Sequence, residues 1–133
     1  MSMRVIIADN DWHFASHVEE FLESHAHLVI RQNNAEDLAN CVEHWQPDLV
    51  ILAAELAEKS VLEFLTTLRP SPAVLLTEHM DRYDRAWRAW QIGGDELLMK
   101  PIFRLLDLHE AIVAAMENAA AGTRIRPAVA ASA

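Results

Sequence analysis

Gln46-Pro47-Asp48-Leu49-Val50-Ile51-Leu52-Ala53-Ala54-Glu55-Leu56 is the stretch whose reading decides the fold. Leu49 to Leu52 is an unbroken apolar run rich in β-branched residues, which reads as a strand buried on both faces, as in a parallel sheet covered by helices. In open α/β sheets the functional crevice lies at the carboxyl ends of the strands. The residue leaving this strand, Ala53, therefore faces the place where chemistry is expected, and a methyl group does none.

Outward from that strand, the chain alternates short apolar runs with helical periodicity. Arg4 to Ala8 reads as a first strand, and Asp9-Asn10-Asp11 behind it suits a helix N-cap at a strand's carboxyl end. Phe14, Val18, Phe21 and Leu22 make the apolar stripe of the helix that follows, with Glu19, Glu20 and Glu23 facing elsewhere. His27 to Arg31 is a second strand, and Asn33-Asn34 supplies the turn and cap for a helix on Leu38, Cys41, Val42 and Trp45, ended by Pro47. Past the central strand, Lys59 to Leu68 predicts a third helix on Val61, Leu62, Leu65 and Leu68, closed by Arg69-Pro70-Ser71-Pro72. Ala73 to Thr77 is a fourth strand. Asp81 to Ile92 is a fourth helix stopped by Gly93-Gly94, Glu96 to Met99 a fifth strand, and Asp107 opens a last helix carrying Leu108, Ile112, Ala115 and Met116.

Five strand-helix repeats imply right-handed crossovers, hence an α/β doubly wound parallel sheet of five strands with helices on both faces. One domain is expected over residues 1–118. Ala119 to Ala133 is mostly alanine with Gly122 and Pro127, and reads as a frayed helix end and a linker to an output domain.

Composition narrows the function classes. The chain has 133 residues, 52% apolar and 23% charged, as in an ordinary soluble domain with a single core. A net charge of -9 repels phosphate backbones and anionic lipid, so neither nucleic acid nor a membrane is expected as a partner of this segment. Cys41 is the only cysteine, which excludes an internal disulfide framework, and no apolar run approaches the ~20 residues of a membrane span. The start, Met-Ser-Met-Arg, enters a strand directly without a signal peptide, and the expected location is the cytoplasm.

Val5-Ile6-Ile7-Ala8-Asp9-Asn10-Asp11 resembles the first strand and acidic loop of response-regulator receiver domains, the CheY-like family of bacterial two-component systems, and Pro47 to Leu52 resembles their third strand. Val74-Leu75-Leu76-Thr77 is similar to the strand carrying the family's switch Thr/Ser, Gly93-Gly94-Asp95-Glu96 to its Gly-Ala-Asp-Asp turn, and Lys100-Pro101 to its Lys-Pro pair. Spacing and order agree from Arg4 to Glu117. The resemblance implies a flavodoxin-like fold with strand order 2-1-3-4-5.

It also implies where this sequence departs. The family accepts a phosphoryl group on an aspartate at the end of the third strand, with Mg²⁺ held there and by an acidic pair after the first strand. Here the acceptor position is Ala53 and the second of the acidic pair is Asn10. In-line transfer needs an oxygen nucleophile and a cation, and Mg²⁺ sheds water reluctantly without carboxylates, so no tight Mg²⁺ site is expected. Asp9, Asn10, Ala53, Thr77 and Lys100 are the residues of a degenerate pocket in which Asp9 and Lys100 are expected to form a direct ion pair. Leu97, which resembles the aromatic switch position, has no polar ring to swing.

A surface remains as the candidate functional element. Tyr83, Ala86 and Trp90 follow i, i+3, i+7, with Leu97 expected beside them, and the family uses this face of the fourth helix, fifth strand and fifth helix for partner proteins or dimers. Trp87 is expected to point into the core. His13, His17, His25 and His27 could hold Zn²⁺, although a solvated polar face explains them more simply. No glycine-rich phosphate loop or nucleophile triad is present, and no enzyme is expected. The reading is a phosphorylation-independent receiver-like signalling domain acting through protein contacts. Its alternatives are a ligand- or partner-gated regulatory domain and a receiver phosphorylated at an unconventional residue.

Overall fold

The computed structural model describes residues 2–122. Five parallel strands, β1 (Arg4–Ala8), β2 (Leu28–Gln32), β3 (Leu49–Ala53), β4 (Ala73–His79) and β5 (Glu96–Lys100), lie in the order β2-β1-β3-β4-β5. The helices between them are α1 (Trp12–Ser24), α2 (Ala35–Trp45), α3 (Lys59–Thr67), α4 (Tyr83–Ile92) and α5 (Leu105–Ala121). Every residue of β3 is buried, as the unbroken apolar run requires of the strand at the middle of the sheet. Alternation of side chains along each strand sends Val5, Ile7, Ile51, Leu75 and Leu98 to one core beneath α1 and α5. Ile6, Ala8, Val50, Leu52, Val74 and Leu76 go to a second core beneath α2, α3 and α4.

The caps form where the polar triplets stand. Asp11 Oδ1 accepts from the Phe14 N–H at 3.1 Å, opening α1, and Asn34 Oδ1 accepts from the Asp37 N–H at 2.8 Å, opening α2. Both caps lie at a strand's carboxyl end, so the turn that starts each helix also delivers polar side chains to that rim of the sheet. Among the described residues no helix is long and apolar enough to cross a membrane.

The expected boundaries shift most in β4, α4 and α5. β4 runs two residues beyond Thr77, to His79, because Glu78 and His79 pair in register with Met99 and Lys100 although neither is apolar. α4 begins at Tyr83, after a 3-10 turn over Met80–Arg82 that takes up the residues expected to open the helix. α5 begins at Leu105 and continues through Ala121, with Gly122 as its left-handed C-cap, so Ala119 belongs to the domain and touches the α1–α5 core. The remainder of the expected linker, residues 123–133, lies outside the described residues.

The fourth helix also differs in which side chains it buries. Ala86 is fully buried and Trp87 is 41% exposed, the reverse of the expected arrangement. α4 packs on β4 through its buried residues Ala86 and Ala89, whose methyl groups allow the helix backbone to approach the sheet closely. The tryptophans are displaced to the rim, where Trp87 and Trp90 stack with centroids 5.2 Å apart, and Trp90 covers the edge of the second core.

Gly94 closes the α4–β5 turn at φ +122°, a backbone conformation that strains any residue with a Cβ, and such an atom would stand 2.7 Å from Leu76 Cδ1 in the filled core. Gly94→Ala is expected to cost about 1–3 kcal/mol, the scale of a strained backbone outlier, read as a lowered midpoint of urea unfolding.

Candidate functional site

The carboxyl ends of β1, β3, β4 and β5 meet at one rim, and each contributes one side chain to it. Asp9 follows β1, Ala53 ends β3, Thr77 lies opposite Ala53 in the β3–β4 register, and Lys100 ends β5. Two-residue alternation places all four on the α1–α5 side of the sheet, above Ile7, Ile51, Leu75 and Leu98. All four are buried, between 0% and 6% exposed, whereas Asn10 is exposed and turns into a shallow recess with Trp12, Arg31 and Gln32. The structure thus brings together four of the five expected pocket residues and leaves Asn10 at the margin.

The centre of the site is a buried ion pair. Lys100 Nζ donates to Asp9 Oδ2 at 2.7 Å, and Thr77 Oγ1 donates to the same oxygen at 3.2 Å. Asp9 Oδ1 accepts from the Asp11 backbone N–H at 2.8 Å, so both oxygens of the carboxylate are engaged. Lys100 also lies 3.6 Å from Asp11 Oδ2 and 4.4 Å above the Phe14 ring, which adds a cation–π contact to the charge balance. Asp11 in turn stands 3.6 Å from His79 Nε2. Burial raises the Asp11 carboxyl, but the Phe14 N–H, Lys100 and His79 together outweigh it and hold the group below the usual carboxylate range.

A second buried charge sits on the opposite face of the same strand. Glu78, next to Thr77 and 4% exposed, alternates toward α4 and forms an ion pair with Arg85. Its other oxygen accepts from the His79 N–H at 2.8 Å. Burial again raises this carboxyl, and the Arg85 hydrogen bond and the His79 N–H outweigh it, leaving the group below its ordinary value. The sequence reading missed Glu78, Arg85, His79 and Phe14. The first two carry a signal in hindsight, since an acidic residue directly after the polar end of a buried strand needs a cation within reach, and the next helix offers one.

The remaining expected site residues differ in exposure. Tyr83 is 52% exposed and Leu97 half-buried beside the second core, with the Trp87–Trp90 stack near them; Ala86 is removed from this face by its burial. The four histidines considered for Zn²⁺ do not converge, and among the described residues no group of three or more His, Cys, Asp or Glu could hold a metal ion.

With this geometry in place, comparison with solved structures decides the architecture. The fold is that of response-regulator receiver domains. The ADP complex of NtrX from Brucella abortus superposes with a TM-score of 0.79 at 19% identity, covering 92% of this chain and 28% of that one. The signal receiver domain of a modulated diguanylate cyclase from Desulfovibrio desulfuricans G20 gives 0.75 at 18% identity, covering 92% and 99%. In sequence the chain is similar to the regulatory protein VanR of Enterococcus faecium, 29% identical over 111 residues. That match takes in 81% of this chain and 47% of VanR, so the receiver-like chain spans about half the length of its relative. No protein-family model matches the chain.

Two outcomes follow from the paired charges. Lys100→Met leaves Asp9 buried without its cation and is expected to cost about 3–5 kcal/mol by urea unfolding, with much of that loss recovered when Asp9→Ala is added. For Glu78 the folded carboxyl titrates below the unfolded one, so its contribution is complete above the ordinary glutamate value of 4.5 and disappears as pH falls through the folded value. Glu78→Gln is therefore expected to lower the melting temperature at neutral pH and to flatten its decline in the acid range, measured by calorimetry across pH.

Proposed function

We propose that this receiver-like domain passes its signal through protein contacts without being phosphorylated at the end of β3. The observation that carries the reading is Ala53: it ends β3 opposite Thr77, it is 3% exposed, and its methyl group offers phosphorus no oxygen. The surroundings agree with it. Asp9 already has both oxygens engaged by Lys100, Thr77 and the Asp11 N–H.

The donor set does not fit the Mg²⁺ ion that the fold family implies. Mg²⁺ demands near-octahedral oxygen ligation and uses carboxylates to offset the loss of its water. Ala53 has none, Asn10 brings a neutral amide to the exposed margin, and Asp9 would have to give up its lysine. A phosphoryl-transfer step has neither nucleophile nor cation here, and we assign the domain no enzymatic activity.

Signal output is assigned to the face of α4, β5 and α5. Trp87 and Trp90 stack there, Tyr83 is exposed on the first turn of α4, and Leu97 lies alongside on β5. Large aromatic side chains at a rim, already packed on one another, lose little entropy when a partner covers them, which suits a protein partner or a second copy of the chain. A cytoplasmic setting follows from the signalling role and the lone Cys41.

Phosphorylation at an unconventional residue is a weaker reading. Glu55 is exposed beyond β3, and Asp11 is engaged by the Phe14 N–H, Lys100 and His79. The two readings separate cleanly. Wild-type protein incubated with acetyl phosphate and Mg²⁺ is expected to show no phosphate adduct by intact mass, and Mg²⁺ alone to leave its melting temperature unchanged. A stoichiometric adduct on the wild type would refute the proposal. In Ala53→Asp a second carboxylate joins Asp9 beside one lysine, so a loss of about 1–3 kcal/mol is expected, partly restored by Mg²⁺.

A further inference from the structure

Beside the closed crevice lies a cavity of about 220 Å³, between α1, the end of β4 and the turn from β5 into α5. Phe14, Val18, Ile102, Leu105 and Leu108 form its apolar walls. Its polar groups are Lys100, Asp11, His79 and, one turn apart on α1, His13 and His17.

Lys100 makes this more than an apolar dent. Its ammonium carries three protons. One is given to Asp9 at 2.7 Å; Asp11 at 3.6 Å is beyond hydrogen-bonding distance, and the Phe14 ring takes only the charge. The residue is 4% exposed and lines the cavity, so donor capacity left over from Asp9 is within reach of an occupant of that space. A buried donor left in that condition is costly, and a ligand acceptor would satisfy it.

The occupant's chemistry follows from which groups are spent. Asp11, the one acid in the wall, accepts from the Phe14 N–H through Oδ1, and its Oδ2 stands 3.6 Å from Lys100, whose charge already balances it. The buried spare capacity is a donor's, that of Lys100, and His13 and His17 each bring a ring N–H to the exposed edge beside it. The five apolar walls call for a hydrocarbon body. The volume lies below the roughly 300 Å³ at which ordinary ligand sites begin, so the body is small. A chain of net charge -9 also disfavours a multiply charged anion.

We infer that this cavity is a binding site for a small apolar monocarboxylate, its carboxylate on Lys100 and the histidine edge, its hydrocarbon body between α1 and α5. The site stands apart from the question of phosphorylation at β3, because the group that donates to the ligand is Lys100 and the walls belong to α1 and α5. Occupancy would draw Lys100 partly away from Asp9 and so reach the rim shared with Thr77.

The test is a titration of ¹⁵N-labelled protein with benzoate, with benzamide as its uncharged twin and inorganic phosphate as an anion without a hydrocarbon body. Benzoate is expected to shift the Phe14, Val18 and Leu105 amide signals saturably, with Kd about 1 mM or tighter and both controls at least about tenfold weaker. Leu105→Trp, which fills the mouth from a position 43% exposed, is expected to abolish the shifts with the folded spectrum retained. His17→Glu, also at an exposed position, is expected to weaken benzoate about fivefold or more and leave benzamide unchanged, a difference of about 1 kcal/mol. The inference is overturned by no saturable shift at about 10 mM benzoate, a concentration well above the expected Kd, or by benzamide or phosphate binding equally well. Shifts that survive Leu105→Trp, or benzoate affinity unchanged in His17→Glu, overturn it too.

Discussion

The contact between Lys100 and Asp9 is the interaction on which the functional end of this molecule depends. It joins the ends of β5 and β1, which are separated in the sheet by β3 and β4, and the lysine therefore has to reach across both intervening strand ends. It can do so because those ends carry the short side chains of Ala53 and Thr77. Both partners are almost completely buried, so neither can be hydrated if the other leaves. Taking two charges out of water costs several kcal/mol per ion, which good geometry and further hydrogen bonds can repay. Thr77, the Asp11 N–H and the Phe14 ring supply those further contacts.

The same economy explains why the charges on β4 are divided between two faces. Thr77 and His79 alternate toward α1 and α5 and serve the Asp9–Lys100–Asp11 group, while Glu78 alternates toward α4 and meets Arg85. One strand end thus touches both halves of the molecule: the closed crevice on one side and, through an ion pair, the helix that carries Trp87 and Trp90 on the other. A change in the crevice that moves β4 by a fraction of an ångström has a direct covalent path, one residue long, to the charge that anchors α4.

Much of the fold was legible because burial on both faces leaves a strong mark: Leu49 to Leu52 is apolar without interruption, and β3 is buried throughout. The pairing of Asp9 with Lys100 was legible for a related reason, since removing carboxylates from a crowded site leaves one lysine and few partners. Three things were not. β4 continues through Glu78 and His79, which no apolar pattern marks, because a buried glutamate is tolerated only with a cation that comes from another element. The facing of α4 was misread because hydrophobicity ranks tryptophan above alanine for burial, while the face of α4 that packs on the sheet is made of Ala86 and Ala89. The cavity beside Lys100 was invisible because it is made by the distance between two helices far apart in sequence.

Replacing an apolar pair by Lys100 and Asp9 would gain little stability, since a buried ion pair often does no better than well-packed hydrocarbon of the same volume. What an ion pair supplies is geometry: a lysine with a carboxylate at 2.7 Å holds its remaining N–H groups in fixed directions, which a methylene chain cannot do. Here that lysine also lines the cavity between α1 and α5. A lysine kept for stability alone would be expected to spend its donors on protein acceptors. Among the described residues this one makes a single hydrogen bond, to Asp9, with Asp11 and the Phe14 ring near its charge, and it lines an apolar chamber with histidines at its edge, which is the reason to regard that chamber as a site although Ala53 offers no atom to bond phosphorus.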